Sequence, residues 1–207
     1  MSRRAVLATA AGGTALLGVS VSTRPGSRQF YALTFGVAGT WAAAGLAQRE
    51  PFADEPTRRP APREVATAAG IGVGAFYAAA LVARRIPVLR RALTSVLHYA
   101  HQGSDGLVLL TTLANGVGEE FFFRGAVYDS LSRTRPVPAS TALYVASTTA
   151  TGNPALVLAS GVMGTLLAEQ RRVTGGLAAP LVTHLTWSTL MLRFLPPLFP
   201  PVPTELA

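Results

Sequence analysis

A chain of 207 residues with 49% apolar residues, 14% charged residues and a net charge of +8 has too few charges to clothe a soluble surface of that size. The positive balance does not indicate a nucleic-acid partner. All eighteen basic residues are arginine and sit almost wholly between apolar runs, where they flank membrane spans and anchor in headgroups. Cysteine is absent, which excludes structural disulfides.

The N-terminal "SRRAVLATAAGG" resembles a twin-arginine export signal, but with further apolar runs downstream it reads more simply as a first transmembrane helix, uncharged from Ala5 to Thr23. A turn, "TRPGSR", leads to a second uncharged run from Gln29 to Gln48, and "REPFADEPTRRPAPRE" then reads as a proline-rich linker. The third run, Val65 to Ala83, is rich in glycine and alanine and is expected to present a close-packing face to other helices. Next, Ile86, Leu89, Leu93, Val96 and Leu97 recur at helical spacing, the mark of an amphipathic helix at the interface or a re-entrant piece. His98 and His101 lie one turn apart near its end, where solvated side chains are expected rather than metal ligands.

A fourth span runs from Gly106 to about Leu131, uncharged as far as Gly118. The apolar run from Pro136 to Ala168 contains the breaker "TATGNP" and reads as two helices joined by a turn. A last uncharged run extends from Val173 to Leu192. Uninterrupted runs of about 20 residues match the thickness of a bilayer core. The expectation is an all-α, polytopic transmembrane helix bundle of about six to seven spans. Residues 1–64 would form N-terminal spans and a polar loop, and residues 65–207 a membrane core.

Within the fourth span, "NGVGEEFFFRG" places two adjacent glutamates among small and aromatic residues. An ionisable side chain there costs roughly 2.5–3.5 kcal/mol on insertion scales and is retained where it faces the protein interior. On an α-helix Glu120 and Arg124 lie about 40° apart in azimuth and can pair, while Glu119 lies about 140° from the arginine. Glu120–Arg124 is therefore expected as a salt bridge, leaving the Glu119 carboxylate for general base and then acid work. An ion network that only ties helices together is the alternative. In "APLVTHLTWSTL", His184 and Ser188 stand one turn apart, and His184 is the one histidine in the middle of an apolar run. A base on one helix and an oxyanion-stabilising donor on another would make a hydrolytic site.

"EEFFFRG" in one span, a broken apolar hairpin after it and "THLTWS" in a late span resemble the CAAX-protease and bacteriocin-processing family of membrane-embedded proteases. This family includes the type II CAAX prenyl endopeptidases and the lysostaphin-resistance-like proteins. The resemblance covers about residues 90 to 195. Its first motif, Glu-Glu-x-x-x-Arg, is met in full by Glu119, Glu120 and Arg124. Its last motif is met by His184, with Ser188 where an amide is usual. Its middle motif, an aromatic with a histidine four residues on, departs: Tyr144 is the aromatic and Thr148 replaces the histidine.

The resemblance implies an intramembrane endopeptidase acting on a hydrophobic peptide or lipidated protein. Glu119 would activate water, Glu120 and Arg124 would support it, and His184 with Ser188 would hold the oxyanion. Threonine can hydrogen-bond a water but cannot take its proton at neutral pH. The second expectation is thus a catalytically impaired relative that binds peptides as a membrane scaffold or immunity factor. A proton-coupled transporter would be expected to show two related halves with broken helices, and the chain shows none. The family is also called a metalloprotease. Zinc needs three protein ligands, which here would be Glu119, Glu120 and His184, with His98 the one replacement for the missing histidine; no metal is the expectation. The absence of lysine with abundant Ala, Arg, Gly and Pro suggests a GC-rich bacterial genome, hence a multi-pass protein of a bacterial plasma membrane.

Overall fold

The computed structural model describes residues 2–47, 61–132 and 134–200, and every regular element among them is helical. The elements are α1 (Arg3–Val21), α2 (Arg28–Leu46), α3 (Pro62–Ala83), α4 (Pro87–Gln102), α5 (Asp105–Glu119), a π-helical turn (Glu120–Val127), α6 (Tyr128–Leu131), α7 (Pro136–Thr148), α8 (Pro154–Thr174) and α9 (Ala178–Phe194). Of the expected linker, residues 49–60 lie outside the described residues; Ala61 to Glu64 form the start of α3, with Pro62 in its first turn.

Local chemistry sets the helix starts. Ser2 and Ser27 accept from the backbone amides of Ala5 and Phe30 at the heads of α1 and α2. Prolines 87, 136 and 154 open α4, α7 and α8, where a missing amide proton costs nothing. The breaker between α7 and α8 is a short 3-10 turn, Thr149–Thr151, closed by Gly152 at φ 62°. Asn153 then caps α8 through its carbonyl oxygen, 3.0 and 3.1 Å from the amides of Ala155 and Leu156. Its amide nitrogen donates across to the Ala92 carbonyl at 2.7 Å and Ser95 Oγ at 3.1 Å, fastening α4 to the start of α8.

The long helix formed by α5, the π turn and α6 is the centre of the packing. It touches α1, α2, α7, α8 and α9, and α2 lies along it most closely. A Cβ on Gly118 would come within 2.5 Å of the Ala38 carbonyl, and one on Gly45 within 2.5 Å of the Phe121 backbone. Only hydrogen at both positions permits that approach, in the manner of small-residue contacts between membrane helices. Above the contact, Trp41 stacks on Phe122 with ring centroids 4.6 Å apart. Val6, Ala10, Val37, Phe123, Ala126 and Val127 complete this buried cluster. The N-terminal hairpin therefore supplies half of the core beside the π turn.

The small-residue face expected on α3 takes little part in packing. Gly70 and Gly74 face open space, and α3 meets chiefly α9, with Phe76 edge-on to Trp187 at 5.0 Å. Its position at the periphery explains the difference: a single neighbour uses a single stripe. The amphipathic α4 buries Ala92 and Leu97 and packs Leu93 and Val96 against Ala80 and Phe199, while Ile86 stays exposed. His98 is exposed, and His101 Nε2 lies 3.1 Å from the Phe199 carbonyl.

α1 and α3 are each long and apolar enough to cross a membrane. Gly118→Ala is expected to lower the thermal unfolding midpoint in detergent, because overpacking a filled contact costs about 1–3 kcal/mol. Gly70→Ala, where a Cβ meets nothing, should leave the midpoint unchanged or slightly raised.

Candidate active site

The π turn begins at Glu120, one residue after α5 ends. In this winding amides reach back five residues instead of four, and the Tyr128 amide bonds the Phe123 carbonyl. That same carbonyl accepts a second hydrogen bond, 2.6 Å, from the fully buried Ser140 hydroxyl on α7. A neighbouring helix thus holds the π turn from outside.

Glu120 and Arg124 are both fully buried, with Nη1 3.1 Å from Oε1. The same Oε1 lies 2.7 Å from His184 Nδ1, contributed by α9. A carboxylate so paired only accepts, so Nδ1 carries the proton and His184 turns Nε2 away from Glu120. Nε2 lies 3.9 Å from Glu119 Oε2, and Glu119 Oε2 accepts a 2.7 Å hydrogen bond from the Tyr144 hydroxyl on α7. The Tyr144 ring in turn lies under the Arg124 guanidinium, 4.5 Å from its centroid. Two carboxylates, a guanidinium, an imidazole and a phenol from three segments therefore form one connected cluster.

The structure brings Glu119, Glu120, Arg124 and His184 together, with Glu120 paired to Arg124 as expected. His184 differs from the expectation: it lies closer to Glu120 than to Glu119. Thr148 stands apart: its hydroxyl donates to the Tyr144 carbonyl at 2.9 Å, back along its own helix. Ser188 is buried one turn beyond His184. It lines a cavity of about 1720 Å³ between α3, α4, α5, α8 and α9, together with Asn115, one turn before Glu119, and Trp187. The cavity thus ends a helical turn from the carboxylates. The sequence reading missed Tyr144 as a polar member of the site; the available signal was a phenol rather than a phenylalanine at the aromatic position of the middle motif.

Glu119, Glu120 and His184 do not fit zinc as folded. Glu120 Oε1 and His184 Nδ1 are engaged with each other, and Oε1 also with Arg124. Among the described residues no three His, Cys, Asp or Glu side chains are arranged to hold an ion.

Among the described residues the protein is all-helical, with a Glu-Glu-Arg-His cluster one helical turn from a large, mainly apolar cavity. Residues 103–190, a little under half of the chain, match the family described as type II CAAX prenyl endopeptidase Rce1-like, and in this segment the chain is similar to the CAAX-protease and bacteriocin-processing family. The matched segment contains all the residues of the cluster. No curated protein and no solved structure matches the chain.

Arg124→Met is expected to destabilise by about 3–5 kcal/mol, since it leaves the buried Glu120 carboxylate without its cation. Glu120→Leu combined with Arg124→Met should recover part of that loss. Thermal unfolding of the two single variants and the double variant measures the coupling.

Proposed function

We propose that this chain is an intramembrane endopeptidase that cleaves a hydrophobic peptide or a lipidated protein, in a multi-pass fold of a bacterial plasma membrane. The observation that carries the reading is the placement of Glu119. It has one oxygen on Tyr144, a side chain still 21% exposed, and His184 Nε2 on the same side. A carboxylate wholly committed to structure would be closed off like Glu120. Glu119 would take a proton from water as the water attacks the scissile carbonyl. His184, held by Glu120, and Ser188 face the side where the oxyanion would form. Arg124 offsets the charge of Glu120, so that this carboxylate can orient the imidazole as the aspartate does in a hydrolase triad.

Support also comes from polar atoms left over. Glu120 Oε2 and Arg124 Nε and Nη2 are buried without a hydrogen-bond partner among the described residues. A pair kept only for stability is expected to satisfy more of its capacity. The substrate reading is supported by the volume and mainly apolar lining of the cavity that ends a helical turn from the cluster. The membrane reading is supported by Ile71 and Val82 of α3, each more than 60% exposed and outside the cavity lining. A surface of this kind is stable against lipid and costly in water. The membrane core proposed for residues 65–207 includes α3 because α3 packs on α9, the helix that carries His184.

One observation favours the second reading, an impaired relative that binds peptides without cutting them: the Thr148 hydroxyl is turned to its own backbone and contributes no base. The two readings separate on peptide termini in membranes of cells lacking the protein and supplied with wild type or Glu119→Gln. Under the first, termini present with wild type disappear in the variant, for a loss of about 10²–10⁴-fold in cleavage. Identical termini, with the variant still restoring the cellular phenotype, would establish the binding role instead.

A further inference from the structure

Tyr144 occupies the place from which α7 reaches the site. Its hydroxyl is 2.7 Å from Glu119 Oε2, its ring supports the Arg124 guanidinium at 4.5 Å, and it packs against Phe123 at 4.9 Å. On its other side is Gly164 of α8, where a Cβ would come within 3.2 Å of the ring. The ring is therefore clamped between two helices and directs its hydroxyl at one carboxylate oxygen. Thr148, one turn further along α7, makes its side-chain hydrogen bond to the Tyr144 carbonyl rather than to Glu119.

We propose that Tyr144 is the positioning residue for Glu119, taking the part that the family resemblance gives to a histidine at 148. This rests on the endopeptidase reading. A neutral phenol donates its proton to Oε2 and fixes the carboxylate plane. The second oxygen is then left to accept the proton of the attacking water, and no proton needs to pass to Tyr144. The division of labour differs from that of a histidine, which could share the proton itself. Tyr144 acts only through the carboxylate it holds.

The test uses the full chain in lipid nanodiscs, with two readouts. Infrared difference spectra identify the Glu119 carboxyl and carboxylate bands as those missing in Glu119→Gln. Turnover is measured on a peptide taken from the termini that depend on wild-type protein. Tyr144→Phe keeps the ring and removes only the hydroxyl. It should displace the Glu119 bands and lower kcat about 10- to 100-fold at unchanged KM, the scale of a misplaced catalytic group. Thr148→His added to Tyr144→Phe should restore part of kcat, and Thr148→His alone shows that the position accepts the ring if Tyr144→Phe folds poorly. Glu119 bands left in place, or an unchanged kcat, would overturn the proposal while the endopeptidase reading stands on the difference between wild type and Glu119→Gln. If wild type and Glu119→Gln give the same termini, the endopeptidase reading falls and takes this role of Tyr144 with it.

Discussion

A carboxylate and a guanidinium buried to zero exposure in an all-helical, apolar interior impose a condition on everything around them. Such charges are tolerated only when paired and hydrogen-bonded, and the low dielectric that strengthens their attraction also makes any loss of pairing costly. Glu120 is therefore the residue on which the site depends. It takes Arg124 from its own helix and His184 from α9 on a single oxygen. Trp41, Phe122 and Phe123 pack on one another in the buried cluster of the same turn, and Tyr144 covers the guanidinium.

This dependence unites parts of the chain that differ in kind. The matched segment, 103–190, holds all the ionisable members of the cluster, yet α1 and α2 lie outside it and pack directly on the π turn through Val6, Ala10, Val37 and Trp41. The backbone-to-backbone approach at Gly118 and Gly45 allows this. At the opposite edge α3 and α4 border the cavity; α3 packs on α9, while α4 is tied in mainly by Asn153 and by the Tyr99 hydroxyl bonding the Val21 carbonyl. The result is a tightly packed half that carries the ionisable cluster and a half that borders the cavity.

Much of the helical framework was legible in the sequence. Uncharged runs and prolines marked α1, α2, α3, α7 and α8 to within a few residues, and "TATGNP" gave the turn before Asn153. Glu119, Glu120, Arg124 and His184 were legible because ionisable residues in apolar runs need one another. The Glu120–Arg124 pair was legible too, from its four-residue spacing. The bond between His184 and Glu120 was not, and nothing in "EEFFFRG" announces a π turn, since the Ser140 hydroxyl that steadies it lies on another helix. Tyr144 escaped for a similar reason: an aromatic at helical spacing reads as packing until its hydroxyl is seen to meet a carboxylate. The close-packing face expected on α3 followed from its glycine and alanine content alone, which reveals small residues but not whether a neighbour exists.

The π turn also works as a phase shifter. An unbroken α-helix advances about 100° per residue, so a helix with one residue more than its hydrogen-bond pattern accommodates is rotated by nearly that angle on one side relative to the other. The half carrying Thr111, Asn115 and Glu119 is thereby aimed at α9 and the cavity, while the half carrying Phe123, Ala126 and Val127 is aimed at the N-terminal hairpin. Removing any single residue between 120 and 127 would repair the helix and misdirect one of these halves. Length, as much as identity, is therefore under constraint in this octet.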